Sequence, residues 1–135
     1  MYWEQIKVIA VIGASPKPER DSYHIVNYFI SKGFMVIPVN PNYEEVAGQK
    51  CYPSLMSIPA EIARTIDMVD IFRRSSEVLP IVQEAVKLKK KYDNLKVVWM
   101  QLGVSNAEAA RLAQDAGLEV IMDACAMVTH KKTQL

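Results

Sequence analysis

The sequence predicts an α/β domain built on a parallel sheet with helices on both faces. Three observations carry the prediction. Short β-branched runs alternate with amphipathic helical stretches, the pattern of successive strand-helix-strand units. The first run, Lys7 to Ile12, is continuously apolar from Val8 on, as a strand covered on both faces must be. The chain has 135 residues, half of them hydrophobic, which suits one domain over residues 1–135 with a real core.

After the first strand, Ser22 to Lys32 reads as a helix with Ile25, Val26, Phe29 and Ile30 on one side and Gly33 ending it. Phe34 to Val39 is the second strand, and Pro38, which lacks a donor, marks a strand end or bulge. Residues 40–60 are turn-rich, with Pro41, Gly48, Pro53 and Pro59, and read as loop with one short helix near Leu55. Ile66 to Phe72 is the third strand. Ser75 is read as the cap of a helix running to about Lys91, with Pro80 making its first turn irregular. Leu95 to Met100 is the fourth strand. Ser105 and Glu108 have the spacing of a capping box for the helix that buries Ala109, Leu112 and Ala113. Leu118 to Met122 is the fifth strand, and a short helix follows Cys125.

Parallel sheets bind ligands beyond the carboxyl ends of their strands. That rule selects the loops opening at Gly13, Asn40, Phe72, Gln101 and Asp123. In the first, Gly13-Ala14-Ser15-Pro16 runs from a buried strand towards a helix. Gly13 permits a tight turn, while Ser15 and the N–H groups at the helix start are donors for a phosphate. Lys17 and Arg20 add two cations. The competing reading is an ordinary strand-helix turn. A dinucleotide fingerprint is disfavoured because only Gly13 of the required glycines is present and Asn40, rather than an acid, ends the second strand. The Walker-type pattern GxxxxGK[ST] is absent. A phospho-acceptor domain needs an acid cluster that Gly13-Ala14 does not supply.

The formal net charge of +1 gives no bulk attraction to nucleic acid or to acidic membrane, so an anion site must come from local placement of charge. No apolar run reaches the roughly 20 residues of a membrane span, and Val8 to Ile12 is too short for a signal-peptide core. Cys51 and Cys125 form neither a disulfide framework nor a CxxC pair, which points to a reducing cytoplasm. His24 and His130 have no metal-ligand spacing to cysteines or acids.

The stretches VIGASPKPERDSY (11–23), VIPVNPNYEEVAGQKCYPSL (36–55), VDIFRR (69–74) and VWMQLGVSNAEAARLAQDAGLEVIMD (98–123), with Cys125, resemble the small CoA-binding proteins related to the nucleotide-binding domain of the succinyl-CoA synthetase alpha subunit. They follow the same order over nearly the whole chain. The resemblance implies a Rossmann-like three-layer α/β/α fold with a five-stranded parallel sheet in the order 3-2-1-4-5, and coenzyme A lying across the strand ends. It implies that Gly13, Ala14, Ser15, Lys17 and Arg20 face the phosphates, that Asn40 and Pro41 border the adenosine, that Phe72, Arg73 and Arg74 flank the ligand, and that Gln101 and Gly103 lie near the pantetheine arm. Many relatives carry a basic residue where this chain has Ala124. The synthetase's phosphorylated histidine belongs to a second domain, so synthetase activity is not implied.

Arg73 and Arg74 suit bidentate phosphate contact, whereas Asp67 and Asp70, inside or beside a buried strand, are read as structural. Cys125 stands near a helix start, where thiolates are stabilised, and is read first as a packed residue and second as a partner for the CoA thiol. The basic run of Lys87, Lys89, Lys90 and Lys91 suits a helix end. The function expected is non-catalytic binding of CoA or an acyl-CoA as carrier, sensor or partner module, with a homo-oligomer or partner protein as possible assembly. An enzyme or enzyme subunit acting on acyl-CoA thioesters is the alternative, and a regulatory NAD-type binder the third.

Overall fold

The computed structural model describes residues 1–134. Strand β1 (Val8–Ile12) is buried at all five positions because it has a parallel neighbour on each side: β2 (Met35–Val39) and β5 (Met68–Ile71). Beyond β5 come β6 (Val97–Met100) and β7 (Glu119–Ile121), giving a five-stranded parallel sheet in the order β2-β1-β5-β6-β7. Between β2 and β5 lie a two-residue hairpin, β3 (Glu45–Val46) with β4 (Gln49–Lys50), a 3-10 turn at Leu55–Ser57 and the single-turn helix α2 (Ala60–Ala63).

The pleat sends alternate side chains to opposite faces. Ala10, Ile12, Val69, Ile71, Val98 and Met100 pack with helices α3 (Val78–Tyr92) and α4 (Ala107–Asp115). Ile9, Val11, Met68, Val97 and Trp99 pack with α1 (Asp21–Ser31) and α5 (Ala126–Thr133). The second face is richer in rings. Trp3 stacks on Phe29, and His130, Phe34 and Trp99 close around it. Burial and the nearby Lys32 ammonium hold the His130 imidazole below its usual range, and Tyr28 shares a 2.6 Å hydrogen bond with its Nδ1.

The three-layer α/β/α architecture is the one expected, and the strand order is consistent with 3-2-1-4-5 when the Tyr52 bridge beside β2 takes the third place. The order 3-2-1-4-5 has a strand outside β2. There the structure has a single bridge, Val39 to Tyr52, and Ile66–Phe72, counted third in sequence, contributes β5 on the other side of β1. The physical reason lies in residues 40–60, whose prolines remove ladder donors and leave room for no longer strand.

Two capping expectations are corrected, and the irregular helix start expected ahead of Pro80 is seen. Ser75 does not cap α3; it opens a 3-10 turn, Ser75–Glu77, and its hydroxyl accepts the Ser105 N–H at 3.0 Å. Pro80 is the third residue of α3, in the first turn, where its missing N–H costs no helical bond. The cap of α4 is Asn106, whose Oδ1 accepts the Ala109 N–H at 2.9 Å, and not Ser105.

The amino end of the sheet is tied by Asp67, just ahead of β5. Its carboxylate accepts the N–H groups of Lys7 and Val8 at 2.9 and 3.0 Å and pairs with Lys96 Nζ at 2.7 Å, so one side chain joins the starts of β1, β5 and β6. Burial pushes this carboxyl upward, but the Lys96 ammonium and the two N–H groups outweigh it and hold the group below the usual carboxylate range. Asp67→Ala strands these donors and is expected to cost about 2–3 kcal/mol at pH 7 in urea unfolding. A group with a lowered folded value gives its stabilisation above its unfolded value of about 4 and loses it as pH falls through the folded one. The wild-type and variant stabilities therefore converge in acid.

Candidate functional site

From β1 the chain passes to β2 on one side and then crosses to β5 on the other. The connections thus diverge between β1 and β5, and a crevice opens at their carboxyl ends. Gly13 stands at its head with φ +86°, donating its N–H to the Val39 carbonyl at 2.8 Å. A Cβ on Gly13 would lie 2.5 Å from the Phe72 carbonyl oxygen and 3.2 Å from Arg73 Cδ. The two loops therefore meet backbone against backbone, which only glycine permits.

Asn40 braces the same junction. Its Nδ2 donates to the Ala14 carbonyl at 2.8 Å, and its Oδ1 accepts the Asn42 N–H at 2.9 Å. The loop after Gly13 is self-supporting: the Ser15 N–H donates to Ser22 Oγ and the Lys17 N–H to Ser15 Oγ, both at 3.1 Å. Each hydroxyl accepts a backbone bond and keeps its own proton as a donor. Helix α1 begins only at Asp21, so its leading N–H groups come from Asp21 and Ser22 rather than from the glycine turn.

These groups line a polar cavity of about 460 Å³ whose wall includes Gly13, Ser15, Lys17, Arg20, Asn40 and Arg73. Ser22, Asn42 and Tyr43 complete it, and Glu19 and Asp21 set two acids among the cations. A second cavity, about 480 Å³ and mainly apolar, continues past Phe72 and Arg73 to Ile25, Gln101, Val104 and Met127. A third, of about 210 Å³, lies between Pro41, Leu55 and Ile81 and also reaches Arg73. Arg73 thus borders all three. Its guanidinium is held by Glu77, with Nε at 3.1 Å and Nη2 at 2.7 Å from Oε2.

Of the residues the sequence singles out, Gly13, Ser15, Lys17, Arg20, Asn40, Phe72 and Arg73 come together around the polar cavity. Pro41 lies on the small cavity and Gln101 on the apolar one. Three stand apart from these walls. Ala14 is fully buried and contributes its carbonyl to Asn40. Arg74 points outward, its side chain 87% exposed and 3.9 Å from Glu77. Gly103 donates its N–H to Asp123 Oδ1 at 2.7 Å. Ser22, Tyr43 and Met127 escaped the sequence reading. Ser22 follows the stretch of loop residues by one helical position, and that spacing is the signal that finds it.

Gln101 is tied inward as well. Its Nε2 donates to both oxygens of Asp70, at 2.9 and 3.0 Å. Asp70 is fully buried in β5. Burial pushes its carboxyl up to about 7, against the Gln101 and Ile71 N–H groups, which work downward. Cys125 immediately precedes α5 and lines the apolar cavity with His24. A wider concavity of about 770 Å³ lies at the other end of the sheet, by Lys7 and Arg64, but its Asp67 and Lys96 are already paired with each other. Among the described residues no three of His, Cys, Asp and Glu group as metal ligands.

A doubly wound sheet with an anion-suited loop at its switch point, running into an apolar slot, defines a nucleotide-type ligand-binding domain. Residues 7–131 match the CoA binding domain, and the chain belongs to that family. It is 35% identical over 131 residues to the uncharacterised protein YneT of Bacillus subtilis, covering 97% of this chain and 90% of that one. It is 42% identical over 62 residues to the ADP-forming acetate–CoA ligase II of Archaeoglobus fulgidus, a match that spans 44% of this chain and only 9% of the ligase. The solved structure of a hypothetical protein from Pyrococcus horikoshii superposes with a TM-score of 0.88 at 40% identity, covering 98% of this chain and 87% of that one.

Gly13→Ala must both hold a left-handed backbone and push the Phe72 carbonyl away. A loss of at least about 1–3 kcal/mol is expected in thermal or urea unfolding. Gly103 has a similar φ of +84° but nothing within 4 Å of an added Cβ. Gly103→Ala is therefore expected to cost less, and equal losses would show that the contact with Phe72 carries no weight.

Proposed function

We propose that the chain binds coenzyme A or an acyl-CoA as a non-catalytic carrier, sensor or partner module. The observation that carries this reading is the continuity of a polar, cation-bearing cavity with an apolar one across Phe72 and Arg73. CoA has the same division: several phosphate charges and an adenine at one end, and a long, mostly apolar pantetheine arm at the other. In this reading Lys17, Arg20, Arg73 and the Ser15 and Ser22 hydroxyls receive phosphates. The adenine lies near Pro41 and Leu55, and the arm follows Ile25, Gln101 and Val104.

Arg73 would exchange its half-exposed partner Glu77 for phosphate, keeping a charge-assisted bond throughout. An NAD-type ligand is disfavoured, because the group ending β2 is an amide already committed to Ala14 and Asn42. Both cysteines are free thiols, which supports a cytoplasmic setting. No helix among the described residues is long and apolar enough to cross a membrane. Leu102 and Val128 form an exposed apolar rim to the second cavity, a feature that supports association with another copy or a partner protein.

A second reading, an enzyme acting on acyl-CoA thioesters, draws on Cys125 and His24 lining one cavity. Thiol release from a panel of acyl-CoAs, lost in Cys125→Ala, would establish it, and no release would remove it.

Isothermal titration tests the leading reading. CoA is expected to bind, with NAD and ATP weaker, and affinity should fall as salt is raised. Arg73→Ala is expected to weaken CoA by about ten- to a hundredfold, the worth of one charge-assisted contact. Arg74→Ala should change it less than about twofold. Binding of NAD with none of CoA would overturn the proposal.

A further inference from the structure

The mainly apolar cavity contains one polar group whose orientation is set from inside the sheet. Asp70 is fully buried, and its side-chain partner among the described residues is the Gln101 amide. With Nε2 given to both carboxylate oxygens, the other end of the amide, Oε1, has no protein partner. Every fully buried side-chain polar atom among the described residues is partnered, so Oε1 is open to the cavity that Gln101 lines. Gln101 itself is only 3% exposed, which leaves the cavity as the place where that oxygen finds a donor.

We propose that the Asp70–Gln101 pair selects the polar group that a ligand's arm presents to this cavity, by fixing which end of the Gln101 amide faces it. The inference rests on the reading above that the cavity takes the arm of the ligand. An ionised carboxylate only accepts hydrogen bonds, so it holds Nε2 inward and turns Oε1 outward to receive an amide N–H. A protonated carboxyl offers one O–H. The amide then turns over, Oε1 accepts that O–H, and the NH₂ group faces the cavity to meet a carbonyl. The arm's secondary amide N–H is thus received by the ionised pair, and an arm with acceptors alone by the protonated one.

Burial sets the changeover within the range of ordinary cell pH, since it pushes Asp70 up to about 7. The titratable groups on the elements packed against this side are Asp21, Tyr23, His24 and Tyr28 of α1, His130, Lys131 and Lys132 of α5, Cys125 ahead of α5, and Arg73 after β5. None of them makes a hydrogen bond or ion pair with Asp70. The pair therefore responds to the ligand's arm rather than to a neighbouring charge.

The ligand-free protein gives the first test, by following the Gln101 side-chain NH₂ signals by NMR from about pH 5.5 to 8.5. A titration with its midpoint near 7 is expected in the wild type and none in Asp70→Asn, which is nearly the same shape. In Gln101→Leu the carboxyl loses its side-chain donor, and the Asp70 carboxyl carbon is expected to titrate at higher pH. Gln101 signals that stay fixed, that move alike in Asp70→Asn, or an Asp70 midpoint unchanged in Gln101→Leu would each overturn the proposal. Titration calorimetry with CoA at pH 7 in buffers of different ionisation enthalpy gives the second test. Binding is expected to release about half a proton from the wild type and none from Asp70→Asn. Binding without proton release breaks the link between the pair and the arm. A titrating Gln101 in a protein that does not bind CoA at any pH overturns the CoA reading instead and leaves the coupled pair standing.

Discussion

The cleft depends on the approach of Gly13 to the Phe72 carbonyl. At 2.5 Å an added Cβ has no room, so the loop after β1 and the loop after β5 meet through their backbones. That contact does three things at once. It ends β1 and β5 at the same height, it brings Arg73 over the loop that carries Ser15 and Lys17, and it divides the opening into a polar side and an apolar side. Asn40 holds the third element to the same point through the Ala14 carbonyl. A site so assembled is fixed by the sheet rather than by flexible side chains, as preorganised binding requires.

The two ends of the sheet illustrate opposite uses of carboxylates. Asp67 is surrounded by donors and is held in its charged form, so it works as a clasp on three strand starts. Asp70, three residues on, faces the helix-covered interior with only the Gln101 amide and the Ile71 N–H beside it and is pushed towards its neutral form. A folded-state value raised to about 7 means that the native protein binds the proton more tightly than the unfolded chain. Asp70 therefore reduces stability progressively as pH rises from about 4 to 7, the reverse of Asp67. A buried acid that weakens the fold near neutral pH is a feature expected at sites of function rather than of support.

Much of this was legible in the sequence. The five main strands follow from short, mainly apolar runs, and the loops that line the cleft follow from where those runs end. The hairpin β3-β4 and the reduction of the strand outside β2 to one bridge were hidden, because both are two residues or fewer and lie in a proline-rich stretch without periodicity. The site divided in the same way. Gly13, Ser15 and Arg73 announce themselves by residue type and by following strands. Ser22 does not, since a serine early in a helix looks like an ordinary capping residue. The Asp70–Gln101 pair joins residues 31 apart across neighbouring strands, a proximity that only strand register reveals.

The family fixes the class of ligand domain, while the seat proposed for the ligand rests on geometry. The most direct test of that seat is amide chemical-shift mapping by NMR as CoA is added. Perturbations are expected at Gly13, Ser15, Ser22, Asn40, Phe72, Arg73 and Gln101, on both sides of the Gly13–Phe72 contact. Perturbations confined to the opposite end, around Lys7, Arg64 and Lys96, would contradict it.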